Sequence, residues 1–207
     1  TIGYTIGPAL AATDRFEIKI HGRQAHGAAP HLSVDPVVIA SQVVSAFQTI
    51  RSRNLNPLEP SVITIGIIRG GERFNIIPEE VYLEGTVRTY SKETQNTIIN
   101  RMNEILTGIT NASGGSYEME YFKNTPATIN NGELTKKMLP TIQRVVGDEN
   151  VIEVVPTMGG EDFGRYGTTK HKIPVFMFRL GSVSPATIKR ARAVGQPLPT
   201  LHSSIYA

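Results

Sequence analysis
Phe16, Ile18 and Ile20 alternate with Glu17, Lys19 and His21. A period of two in β-forming residues predicts a strand with one buried face. Residues 22–34 are rich in Gly, Ala and His and read as a loop. Asp35-Pro36 predicts a helix start, with Pro suited to the first helical position. Val37, Ala40, Val44, Phe47 and Ile50 follow at three- and four-residue spacing, an amphipathic helix. Two prolines between Asn54 and Pro60 break it. Ser61 to Ile68 is a β-branched run that reads as a strand suited to the centre of a sheet. After Gly70-Gly71, Val81, Leu83, Gly85 and Val87 alternate with Tyr82, Glu84, Thr86 and Arg88, a third strand. Ser91 is placed to cap a second helix with its stripe at Ile98, Met102, Ile105 and Ile109. Tyr117, Met119 and Tyr121 mark a fourth strand.

The order β-α-β-β-α-β over residues 14–123 is the split-βαβ, ferredoxin-like plan. It is α+β in class, within a chain that is α/β overall: one antiparallel four-stranded sheet with two helices on one face. An uncovered sheet edge invites a partner strand, and a two-fold dimer through a helix and an edge strand is the expected solution. The remainder predicts a helix over 134–146, containing Pro140, and a short buried strand over 151–155. A Gly-rich loop over 157–167, an apolar strand over 173–180 and a flexible loop over 182–200 complete it. These pieces are too few to close a core alone and read as one end of a second domain.

Composition narrows the classes. The chain has 207 residues, a formal charge of +3 and no cysteine. That charge is too small to argue for nucleic acid or a membrane surface. The lack of cysteine excludes disulfides, thiolate zinc sites and a Cys nucleophile, and fits a cytoplasmic protein. No apolar run approaches the roughly 20 residues that span a bilayer.

Five histidines are present: His21, His26, His31, His171 and His202. His26 stands among small residues in Gly22-Arg23-Gln24-Ala25-His26-Gly27-Ala28-Ala29-Pro30-His31. It is either a loop histidine beside a tight turn or an imidazole that a substrate can approach closely. Asn75, in Phe74-Asn75-Ile76-Ile77-Pro78, is either a turn residue or an amide presented at a site. Arg88 is either solvated or able to fork a carboxylate. In Met158-Gly159-Gly160-Glu161-Asp162-Phe163-Gly164 the glycines can turn backbone N–H groups toward an anion, or the loop carries a solvated acidic pair. No complete metal-ligand set, Gly-x-Ser-x-Gly elbow or phosphate loop is visible.

Taken in order, Asp14-Arg15-Phe16-Glu17-Ile18, the Gly22-to-His31 run, Asp35-Pro36, Phe74-Asn75-x-Ile77-Pro78, Gly85-Thr86-Val87-Arg88, Gly160-Glu161-Asp162-Phe163 and Leu201-His202-Ser203 resemble the di-metal amidohydrolase and carboxypeptidase family. This family contains the hippurate, N-acyl-amino-acid and auxin-conjugate hydrolases. The resemblance implies a catalytic αβα domain interrupted by a ferredoxin-like dimerisation domain. Residues 14–123 would be the insert, residues 1–13 the end of a first catalytic segment and residues 124–207 its returning C-terminal part. Thr1 opens the sequence without Met and directly in strand-like residues, so most metal ligands and the Glu general base are expected upstream.

The resemblance also assigns roles. His202 matches a metal-binding His. His26 matches an insert-domain His that reaches the partner subunit's active site and steadies the oxyanion. Asn75 and Arg88 match substrate-contacting residues, and Gly159, Gly160 and Glu161 match a loop lining the pocket; His31 fits the pattern in a structural role. It implies metal-dependent hydrolysis of N-acyl amino acids or small peptides in a homodimer, without nucleic acid or membrane. Two divalent ions are expected in the full-length protein, zinc first and Mn, Co or Ni as alternatives, with none held by this chain alone. The competing reading is a non-catalytic dimerisation or binding module.

Overall fold
The computed structural model describes residues 1–198; His202 and its neighbours lie outside them. In chain order the elements are β1 (Ile2–Tyr4), β2 (Gly7–Leu10), β3 (Ala12–His21), β4 (Ala25–His26), α1 (Pro36–Thr49), β5 (Ser61–Gly70), β6 (Ile76–Ile77), β7 (Glu80–Thr89), α2 (Lys92–Ser113), β8 (Ser116–Thr125), β9 (Thr128–Asn130), α3 (Gly132–Val146), β10 (Val151–Glu153), α4 (Arg165–Thr168), β11 (Arg179–Leu180) and α5 (Pro185–Ala193).

The predicted ferredoxin-like unit is present. β5, β7, β3 and β8 form one antiparallel sheet in that order. Alternation on β3 and β7 turns Phe16, Ile18, Ile20, Val81, Leu83 and Val87 onto one face, where α1 and α2 cover them. Phe16 and Phe47 meet edge to face at 6.2 Å between ring centroids, the geometry their quadrupoles favour. Asp35 caps α1 by accepting from the N–H groups of Val37 and Val38. Ser91 caps α2 through Thr94 N–H, and Gly114 in the left-handed region ends it.

Several sequence expectations are corrected. The Ser61–Ile68 run forms an edge strand, not a central one; its β-branched residues line an open edge, with a register shift between Ile65 and Ile67. On α1 the buried side chains include Ile39 and Val43, while Val37 is exposed; the stripe is rotated toward its neighbours. The helical path ends at Asn54, where the proline-containing segment was expected to break it, after α1 has widened into a π-type turn over Ile50–Asn54. The loop at 22–34 contains β4, which pairs with β6.

The smaller elements form two further sheets. β10, β1 and β11 make one, and β2 pairs with β9 in the other. The strand expected over 173–180 reduces to β11, and that over 151–155 reduces to β10, whose Ile152 is exposed rather than buried. Residues 182–200 do not form a loop throughout: Ser184 caps α5 by accepting from Thr187 N–H, with Pro185 at its first turn. α3 runs through Pro140 without stopping. No helix among the described residues is long and apolar enough to cross a membrane.

Candidate functional site
The candidate residues fall into two sets, and the fold holds them apart. The first is the tip beyond the C-terminal end of β3. β4 pairs with β6 so that Ala25 faces Ile77 and His26 faces Ile76. Gly27 N–H donates to the Asn75 carbonyl at 2.8 Å. A Cβ at Gly27 would sit 3.1 Å from that same oxygen, so glycine permits the close approach. His26 and Asn75 are thus neighbours on one exposed tip. Ala28 N–H donates to His26 Nδ1 at 3.1 Å. A nitrogen that accepts carries no proton, so the neutral ring bears its hydrogen on Nε2, which is left as a donor. His31 lies exposed in a single turn over Pro30–Leu32 and makes no such contact. Phe74, beside Asn75, is fully exposed.

The second set lies at the opposite end of the sheet. Arg88 on β7 pairs with Thr13 on β3. A Cβ at Gly160 would fall 1.8 Å from Thr13 Cγ2 and 3.0 Å from Arg88 Nη1, so the Gly159-Gly160 loop rests directly on these side chains. The loop is tied down by Ala11 N–H donating to the Gly159 carbonyl at 2.9 Å. Glu161 folds back to accept from Asp162 N–H at 2.8 Å and caps the turn over Asp162–Gly164. Its carboxylate borders a cavity together with Asp162, Tyr166 and Met177. The structure therefore brings Arg88, Gly159 and Gly160 together, with Glu161 next to them.

From Thr13 to His21, β3 separates the two sets by eight residues, on the order of 27 Å at about 3.3 Å per residue. One chain does not join His26 to Arg88. Among the described residues no group of three His, Asp or Glu side chains could hold a metal ion. The described part of the chain does not fit a dinuclear centre by itself.

One buried polar cluster escaped the motif reading. Asp14 is 2% exposed, and its Oδ2 accepts from Gln95 Nε2 at 2.6 Å and from Tyr121 Oη at 2.7 Å. Burial raises its pKa above the ordinary value; the bonds from Tyr121 and Gln95 and the charges of Lys123 and Arg88 pull the other way. Tyr121 is pushed well above the usual phenol range by burial, then by its bond to Asp14. The other oxygen, Oδ1, has no partner among the described residues. The signal was present in the chain: Asp14 shares the parity of Phe16, Ile18 and Ile20, a carboxylate on the core face.

A ferredoxin-like α+β unit with an open edge strand, continuous with a smaller α/β portion, is the class this architecture defines. Residues 13–112 match the family model of the peptidase dimerisation domain. The chain is 37% identical to the N-acetyl-L-cysteine deacetylase of Bacillus subtilis, over 80% of this chain and 39% of that protein. It is 33% identical to thermostable carboxypeptidase 2 of Saccharolobus solfataricus, over 85% of this chain and 44% of that protein. Among solved structures, the YxeP protein of Bacillus subtilis, described as a dinuclear metal-binding peptidase of the M20 family, superposes with a TM-score of 0.68 at 29% identity. It covers 86% of this chain and 42% of its own. The chain belongs to the M20 family of peptidases and amidohydrolases. It spans less than half the length of each of these relatives.

Proposed function
We propose that these residues serve a metal-dependent hydrolase acting on the amide bond of N-acyl amino acids or small peptides, and that they do so in a two-fold dimer. The observation that carries the reading is the separation just described: His26 and Asn75 at one end of the sheet, Arg88 and the Gly159-Gly160 loop at the other. A second copy is what can bring one protomer's tip to its partner's loop. An apolar groove of about 310 Å³ between α1 and the edge strand β5, lined by Val37, Ala40, Val44 and Ile68, favours association along that edge.

In this reading two divalent ions, zinc or another first-row metal, supply Lewis-acid activation in the whole protein. The described residues do not hold them, and the steps assigned to this chain do not pass through them. His26 Nε2–H donates to the carbonyl oxygen of the scissile bond as charge builds on it, a donor placement worth about 3–4 kcal/mol of barrier. Arg88 and Asn75 hold the substrate carboxylate and fix the register of the amide. Gly159 and Gly160 keep the loop close to Arg88, and Glu161 borders the pocket. His202, outside the described residues, is the one position here that resembles a metal ligand. A cytoplasmic location accords with the cysteine-free sequence.

Mixed dimers test the proposal. In the whole protein, His26→Ala and Arg88→Ala each lower turnover of an N-acyl amino acid. A site shared between protomers recovers about a quarter of wild-type activity when the two variants are co-assembled, because half the dimers are mixed and each keeps one intact site. No recovery on co-assembly would place both residues in one protomer's site and overturn the reading.

A further inference from the structure
We propose that a cleft at the junction of the two parts of the chain binds a small organic carboxylate with an apolar body. The cleft encloses about 340 Å³, at the small end of the roughly 300–1,000 Å³ of ligand pockets. It lies beside the candidate site, with Arg165 on the boundary between it and the cavity that Glu161 borders. Arg88 and Thr89 are consecutive on β7, so their side chains leave on opposite faces of the sheet. Arg88 meets the Gly160 loop, whereas Thr89 lines the cleft.

Charge defines the ligand's polar end. Lys92, Lys123 and Arg165 border the cleft, and among the described residues no acidic side chain lines it. None of the three forms an ion pair among the described residues. Lys123 reaches only Asn96 Oδ1 at 3.3 Å, and Arg165 donates to the Asn124 carbonyl. The nearby Asp14 carboxylate feels Lys123, and its Oδ2 is held by Gln95 and Tyr121. The cleft also faces the N-terminus of α2, a 22-residue helix whose first N–H groups precede any intrahelical acceptor.

Thr89 provides an independent sign. It is 1% exposed, it stands in the cleft wall, and its hydroxyl has no partner among the described residues. A buried hydroxyl without a partner is costly to the fold, so this wall of the cleft is incompletely satisfied by the described residues. The body of the ligand is set by Ala12, Pro126 and Ile129, which give the cleft apolar walls that a bare inorganic anion would leave wet. A molecule there touches Lys92 and Lys123 on the ferredoxin-like unit and Arg165 beyond it, so it ties the two parts together.

Benzoate and inorganic phosphate, titrated separately into the 207-residue chain and followed by amide chemical shifts, test this without requiring turnover. Expected are saturable shifts at Thr89, Ser91, Gln95 and Lys123 with benzoate, at least tenfold tighter than with phosphate. The exposed double variant Lys123→Gln/Arg165→Gln should weaken benzoate at least tenfold with an unchanged ligand-free Tm. Equal binding of phosphate, shifts centred on Arg88 and Gly160, or wild-type affinity in the double variant would each overturn the proposal. Because no hydrolysis is read, these outcomes are separate from the fate of the proposed activity.

Discussion
Asp14 places a carboxylate on the core face of its strand, held by Gln95 and Tyr121 and with one oxygen unpartnered. Its folded pKa lies above the ordinary value of 3.8, so the folded state binds this proton more tightly than the unfolded chain does. The stability it contributes is complete below pH 3.8 and is lost as pH rises through the raised folded value. Denaturant melts of wild type and Asp14→Asn across pH should show the wild type losing ground to the variant from about pH 4 upward; a difference independent of pH would contradict this. Gly85 poses a steric question instead. A Cβ there would lie 2.2 Å from the Thr64 carbonyl oxygen and 2.3 Å from Phe16 Cζ. Gly85→Ala should cost about 1–3 kcal/mol through overpacking, read as a lower urea midpoint.

At the scale of elements, caps and stripes explain most of what forms. Asp35 accepts two backbone N–H groups at the start of α1, so Asp35→Ala should cost about 1 kcal/mol in thermal or chemical melts. The stripe of α1 was legible only in part. Val37-Val38-Ile39-Ala40 and Val43-Val44 offer apolar residues to two adjacent helix faces, and spacing cannot choose between them. Docking against β3 and β7 selects Ile39, Val43 and Phe47 and leaves Val37 and Val38 outside. The same gap affects β5, where a β-branched run reads alike at the centre of a sheet or at an open edge. Its exposed Ile68 beside Val37 gives the edge an apolar strip. Ile68→Lys, which charges that strip, should shift the proposed dimer toward monomer by light scattering at micromolar concentration; a dimer that forms unchanged in the variant would move the interface elsewhere.

For the whole molecule, ligand count is the deciding quantity. A catalytic zinc takes about three protein ligands, and His202 is the one residue of this chain that resembles a ligand. Metal analysis of the 207-residue chain after gel filtration should find less than one ion per chain and no hydrolysis of N-acyl amino acids. Two tightly held ions would require ligands that the motif reading did not identify.

The linear pattern by itself determined the βαββαβ order, the core faces of β3 and β7 and the capped helix starts, because alternation, helical spacing and capping are local. It also brought His26 into view as a candidate, through small residues that allow close approach, and Asn75, as an amide set among apolar residues. Only the tertiary structure decided that β5 is an edge and that His26 and Asn75 share a tip while Arg88 and Gly160 meet at the far end. It alone revealed that Asp14 finds Gln95, 81 residues away, and Tyr121, 107 away. Strand order and long-range contact follow from how complete faces dock, and no short window of residues contains that information.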